Sequence, residues 1–119
     1  MVGLAISHCE KTAGFAAETA KKDATLKTQF NECHDAYVGI LASLKSALLE
    51  LKDSPDTANY DVMVSGDDTR RVKGLVEKNT DTASKTLMEM TLQMEQLLDL
   101  AAGATDAADD DDENLHRRA

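Results

Sequence analysis

A long apolar stripe in the middle of the chain constrains its fold more than any other sequence feature. Between residues 26 and 51, apolar and semi-apolar residues recur at steps of three and four, which places them on one face of an α-helix. The stripe consists of Leu26, Phe30, Cys33, Tyr37, Ile40, Leu44, Leu48 and Leu51. A helix with one such face needs other helices to cover it, so the stripe predicts a helical bundle.

Similar spacings predict three further helices. An alanine-rich first helix spans residues 2 to about 22, a third helix about 58 to 78, and a fourth helix 81 to about 102. Asp23 and Asp81 are suitable N-caps for the second and fourth helices. The turn between the second and third helices contains Pro55, which is typical of residues just beyond a helix end. The predicted fold is therefore all-α, an up-down four-helix bundle.

The third helix has the weakest pattern. Its predicted apolar face starts with Tyr60, Met63 and Val64 and resumes at residues 72–76. The polar residues 65–68 lie between these two parts, and they predict a kink or a break. If the helix breaks there, Asp67 or Asp68 would cap its second half.

The composition changes at Gly103, which is predicted to end the fourth helix. Residues 103–119 contain six carboxylates, two arginines and one leucine, too little apolar surface to offset the entropy of ordering. We therefore predict two regions, a bundle over residues 1–102 and a disordered acidic tail over 103–119. The acidic run Asp109 to Glu113 lacks the spaced ligands and the glycine of a calcium-binding loop, which favours a solvated tail.

The chain has 119 residues and a formal net charge of −9, so we expect one domain and a surface ill suited to nucleic acid or anionic membranes. A basic protein partner suits this charge better. No apolar run approaches the roughly 18 residues of a membrane span. The N-terminus is a poor signal peptide, because it lacks a basic start and its apolar run breaks at Ser7-His8.

Sequence motifs for catalysis are missing, so we do not expect an enzyme or a cofactor. His8, Cys9, Cys33 and His34 could form a zinc site if the first two helices pair. Adjacent helical residues point about 100° apart, however, which favours core cysteines beside exposed histidines. A Cys9–Cys33 disulfide is a second alternative. A methionine group at 88, 90 and 94 fits the core better than an adaptable binding groove.

The segment Cys33-His34-Asp35-Ala36-Tyr37, followed by Ile40, Leu44, Ala47 and Leu51, resembles the second-helix signature of the plant invertase inhibitor and pectin methylesterase inhibitor family. Tyr60-Asp61 is similar to the start of that family's third helix, and residues 87–101 to its leucine-rich fourth helix. The likeness covers about residues 4–102. It implies an up-down four-helix bundle that is no catalyst but blocks the active-site cleft of a plant enzyme, a pectin methylesterase or an acid invertase. It also implies an apoplastic or vacuolar location.

The chain departs from the family pattern at several points. Family members begin with a cysteine-containing helical hairpin, and this chain starts too late to contain it, which suggests a truncated or diverged member. Cys33 matches half of the family's disulfide between the second and third helices, but the aligned partner position is Val72. Some invertase inhibitors use Pro-Lys-Phe against the enzyme, and Pro55-Asp56-Thr57 aligns with it without the cation and the aromatic ring. This tripeptide is the expected target-contact loop.

Two expectations follow from these departures. Losing the disulfide typically costs about 2–5 kcal/mol, so the bundle should be marginal as a monomer, and a homodimer is one way to stabilise it. The expected function is stoichiometric inhibition of pectin methylesterase or acid invertase. The alternative is a degenerate, non-inhibitory helical interaction protein.

Overall fold

The fold is a four-helix bundle with short connections. The computed structural model describes residues 2–118, and it describes side chains for residues 2–106. The helices are α1 (Val2–Lys22), α2 (Lys27–Glu50), α3 (Pro55–Val76) and α4 (Thr82–Arg118). Each helix packs on the next one along the chain, and α1 packs on α4, which closes the ring. The predicted all-α, up-down architecture is confirmed.

The apolar stripe of α2 forms the centre of the core. Its six residues from Leu26 to Leu44 are buried together with the alanine-rich face of α1, as predicted. The stripe ends differently from the prediction, because Ala47 is buried and Leu48 is about half exposed. A step of three from Leu44 leads to Ala47, and this step keeps the side chain over the core as α2 reaches its last turn.

Helix α3 runs without a break through residues 65–68, so the predicted kink and the cap at Asp67 or Asp68 are wrong. Its buried face consists largely of small residues: Pro55, Ala58, Val62, Ser65, Thr69, Val72 and Val76. The Ser65 hydroxyl donates to the carbonyl oxygen of Asp61 in the same helix, and the Thr69 hydroxyl shares its hydrogen between the carbonyl oxygen of Gly66 and the carboxylate of Glu95 on α4. Because these hydroxyls are satisfied locally, they can be buried, and Tyr60 and Met63 face outward instead.

The two predicted N-caps have different outcomes. Asp81 caps α4, since its carboxylate accepts hydrogen bonds from the Ser84 amide at 2.9 Å and from the Ser84 hydroxyl at 2.8 Å. Asp23 does not cap α2. Its carboxylate accepts from the amide and hydroxyl of Thr25 inside the α1–α2 turn, and α2 starts after Leu26 without a side-chain cap.

Helix α4 continues past Gly103, so the predicted helix end at this residue is wrong. Gly103 does not adopt a positive φ, and Thr105 beyond it is fully buried. Asn59 of α3 donates to the Ala102 carbonyl oxygen and to the Thr105 hydroxyl, both at 2.9 Å. These contacts extend the bundle beyond residue 102. The acidic residues that follow continue the backbone of α4, their side chains lie outside the described residues, and their predicted disorder stays a prediction.

Candidate partner-binding surface

The expected target-contact loop lies at the end of the bundle where α2 meets α3, and it is less of a loop than predicted. Pro55 is buried and forms the first residue of α3, a position that suits proline because no helical hydrogen bond needs its missing N–H. Asp56 and Thr57 follow in the first turn and are exposed. Of the tripeptide, only these two residues can meet a partner.

Large apolar side chains are exposed on both helices near this turn. On α2, Leu48 is 49% exposed and Leu49 is 83% exposed. On α3, Tyr60 is 66% exposed and Met63 is 63% exposed. Single exposed apolar residues are normal on a protein surface, but these four all lie within about three helical turns of the α2–α3 connection, which makes this end of the bundle a candidate region for partner binding. We call these four residues the apolar end surface.

A buried acceptor lies beside the apolar end surface. The Oε1 atom of Glu50 accepts a hydrogen bond from the Ser46 hydroxyl at 3.1 Å, while its Oε2 atom is buried and has no partner among the described residues. Glu50 is also the last residue of α2, where the helix dipole disfavours a negative charge. A buried carboxylate oxygen without a donor costs free energy, so Glu50 lowers the stability of this end of the bundle.

A groove between α3 and α4 borders the same surface. Its volume is about 440 Å³, and Val62, Met63 and Leu98 form its apolar part while Arg70 and Asp99 provide charges. One wall is stiffened by a small polar cluster. There Glu95 of α4 accepts from Lys73 Nζ at 2.9 Å and from the Thr69 hydroxyl at 3.0 Å.

The histidines and cysteines of α1 and α2 do not converge on one point. Nε2 of His8 donates to the Met90 carbonyl oxygen of α4 at 2.7 Å, while the Cys9 thiol lies 3.2 Å from the Tyr37 carbonyl oxygen of α2. His34 is half-buried on the outside of α2, next to Asp35. Across the residues with described side chains, no group of His, Cys, Asp or Glu is arranged to hold a metal ion.

Both cysteines are buried and carry free thiols. Burial raises the pKa of Cys9 to about 12 and that of Cys33 to about 11, so both are poor nucleophiles at neutral pH. Cys33 and its aligned position Val72 are both fully buried, on adjacent helices. They lie at equal distances along the sequence from the α2–α3 turn, so antiparallel packing places them at the same height in the bundle.

One central contact was not predicted from the sequence. Tyr37 is fully buried, and its phenol spans the bundle diagonally from α2 to α4, where it shares a hydrogen bond of 2.8 Å with the Thr91 hydroxyl. Burial raises the pKa of Tyr37, so the phenol stays neutral. The apolar stripe predicted that Tyr37 lies in the core, but no sequence signal identifies Thr91 as the partner of its hydroxyl.

Comparison of the chain with protein-family models, with curated proteins and with solved structures gives no match. Within the described residues, no helix has the length and apolarity needed to cross a membrane. The sequence resemblance and the surfaces of this bundle are therefore the features that bear on function.

Proposed function

We propose that the protein is a non-catalytic inhibitor that binds a pectin methylesterase or an acid invertase over the active-site cleft, with one inhibitor per enzyme. The observation that carries this proposal is the apolar end surface beside Asp56 and Thr57. The family resemblance implies a target contact at this same turn, and exposed apolar side chains of this kind are typical anchors of protein interfaces. The site of action would be the plant apoplast or the vacuole.

The overall charge of the protein adds an electrostatic contribution to the proposed binding. The net charge of −9 favours approach to a basic enzyme. Because charges steer this approach, we expect binding to weaken as salt is added.

The alternative function is a helical interaction protein that has lost inhibition. Two features favour it: Cys33 is a free thiol without the family's bond to α3, and Asp56-Thr57 replaces the cation and the aromatic ring of some invertase inhibitors.

The missing cation and ring also make pectin methylesterase the better of the two targets.

A titration of each enzyme with the purified protein, near the mildly acidic pH of the plant cell wall, tests the proposal. An inhibitor reduces the rate of one enzyme to a low plateau near one equivalent. If neither enzyme binds the folded protein, inhibition is rejected and the alternative stands.

Two variants locate the surface. Leu49→Asp should weaken inhibition by at least about tenfold, because it places a charge in the centre of an apolar contact. Leu92→Asp is the matched control, since Leu92 is a half-exposed leucine on α4, outside the apolar end surface. Equal losses in both variants, with circular dichroism unchanged, would contradict this placement of the interface.

A further inference from the structure

A basic groove lies at the opposite end of the bundle from the apolar end surface. It is formed where α1 ends and α2 begins, and it has a volume of about 540 Å³. Lys21, Lys22, Lys27 and His34 line it, above a floor that includes Ala17 and Ala20. The small floor residues let the groove form, and the long lysines surround it with positive charge.

The lysines of this groove are not directly paired with carboxylates within the described residues. No carboxylate lines it, and Lys21, Lys22 and Lys27 form no ion pair with a described side chain. Lysines at the end of α1 stabilise the helix dipole, which accounts for Lys21 and Lys22. It does not account for Lys27, which lies in the first turn of α2, where the dipole disfavours a cation. A chain with a net charge of −9 thus concentrates lysines where a ligand of opposite charge can lie between them.

The chain itself contains a segment of the required charge. Residues 106–113 include six carboxylates and no cation. This segment belongs to α4, which starts at the groove's end of the bundle, where Asn79 donates to Gln29 at 2.6 Å, and runs to the opposite end. Residues 107–118 extend that direction by about 18 Å at 1.5 Å per residue. The acidic segment therefore points away from its own groove and towards the groove of another molecule.

We propose that the groove binds the acidic segment 106–113 of a second copy, so that molecules associate head to tail. Each molecule then presents one groove and one segment, at opposite ends, and the contact joins two different surfaces. Such a contact does not close on itself in a pair. The wild-type protein should therefore form longer head-to-tail assemblies as its concentration rises. Because exposed ion pairs hold the contact, it is weak and sensitive to salt.

Sedimentation of the full-length protein at low ionic strength, followed across a range of concentrations, tests the proposal. The groove variant Lys21→Glu/Lys27→Glu and a segment variant with Asp109 to Asp112 all changed to Asn should each be monomeric. Lys11→Glu/Lys45→Glu is the matched control, because it changes the net charge equally at exposed lysines outside the groove and should associate like the wild type. All substitutions are at exposed positions or beyond the bundle, and circular dichroism checks that each variant is folded.

Mixing the two variants gives the decisive result. The segment variant keeps an intact groove and the groove variant keeps an intact segment, so their mixture should form one-to-one pairs that grow no further. Raising the salt concentration to 0.5 M should weaken the association by about tenfold. A wild-type protein that stays monomeric at low salt overturns the proposal, as does a mixture that forms no pairs. Equal association of the groove variant and the wild type also overturns it.

Discussion

At the scale of single residues, Asp81 determines where α4 begins. Desolvation raises the pKa of its carboxyl group, but the hydrogen bonds from the Ser84 amide and hydroxyl lower it by more, so the pKa lies below its ordinary value. Asp81→Ala should reduce the free energy of unfolding by about 1 kcal/mol at neutral pH. Urea denaturation followed by circular dichroism measures this difference.

The stabilisation by Asp81 should depend on pH in a defined direction. A carboxyl group with a lowered native pKa contributes its full stability above the unfolded value near 4, and loses it as the pH falls through the native pKa. The difference between wild type and Asp81→Ala should therefore shrink below about pH 4. Asp81→Asn is the control, since asparagine also caps helices but does not titrate. An unchanged difference between pH 7 and pH 2 would rule out this role of the charge.

At the scale of elements, Gly103 tests whether α4 continues as a helix. Apart from the neighbouring backbone of α4, no atom among the described side chains and backbone lies within 4 Å of a Cβ added at this residue, and its φ is not positive. Gly103→Ala should therefore raise the free energy of unfolding by about 0.5–1 kcal/mol. Gly14→Ala in α1 has equally open surroundings and should give a similar gain. If the helix instead ended at Gly103 with a left-handed residue, Gly103→Ala alone would destabilise the protein.

The interface between α2 and α3 can be tested by introducing a disulfide between the two helices. Cys33 and Val72 lie at the same height on adjacent helices, so Val72→Cys should form a bond with Cys33 and stabilise the protein by about 2–4 kcal/mol. Thermal denaturation with and without a reductant measures the gain. Oxidation at mildly alkaline pH is advisable, because burial raises the pKa of Cys33.

Val62→Cys is the control for this bond. Val62 is another buried valine of α3, but it lies about 15 Å further along the helix, which is too far for a disulfide with Cys33. If a folded Val72→Cys protein keeps the Cys33 thiol and the introduced thiol unbonded under oxidising conditions, positions 33 and 72 do not lie at the same height on α2 and α3.

The reliability of the sequence-based predictions differed between elements. The faces of α1 and α2 followed from periodicity, because their buried positions are apolar at nearly every step. In α3, small and hydroxyl-bearing residues such as Ser65 and Thr69 are buried. Hydrophobicity alone predicts that Tyr60 and Met63 are buried instead, and both are exposed. The apolar end surface was not predicted, because Leu48, Tyr60 and Met63 were assigned to the core and Leu49 was not assigned to any surface.

At the scale of the whole molecule, charge opposes folding. The net charge of −9 repels itself in the compact state. Two ion pairs join described side chains, and one of them, Arg70–Asp67, lies between close neighbours on α3. Lys73–Glu95 is the pair that links two helices. The packing of all four helices therefore has to stabilise the bundle against the repulsion between its own carboxylates.

We expect sodium chloride to stabilise the dilute protein. Raising it from 10 to 150 mM shortens the Debye length from about 30 Å to about 8 Å, which screens repulsion between exposed carboxylates, so the midpoint of thermal unfolding should rise. The rise should be steepest below about 0.1 M, unlike the effect of excluded salts such as sulfate, which grows at higher concentration. The protein is measured at low micromolar concentration, so that head-to-tail association does not contribute to the unfolding midpoint. A midpoint that falls over this range would mean that attractive ion pairs outweigh the net negative charge.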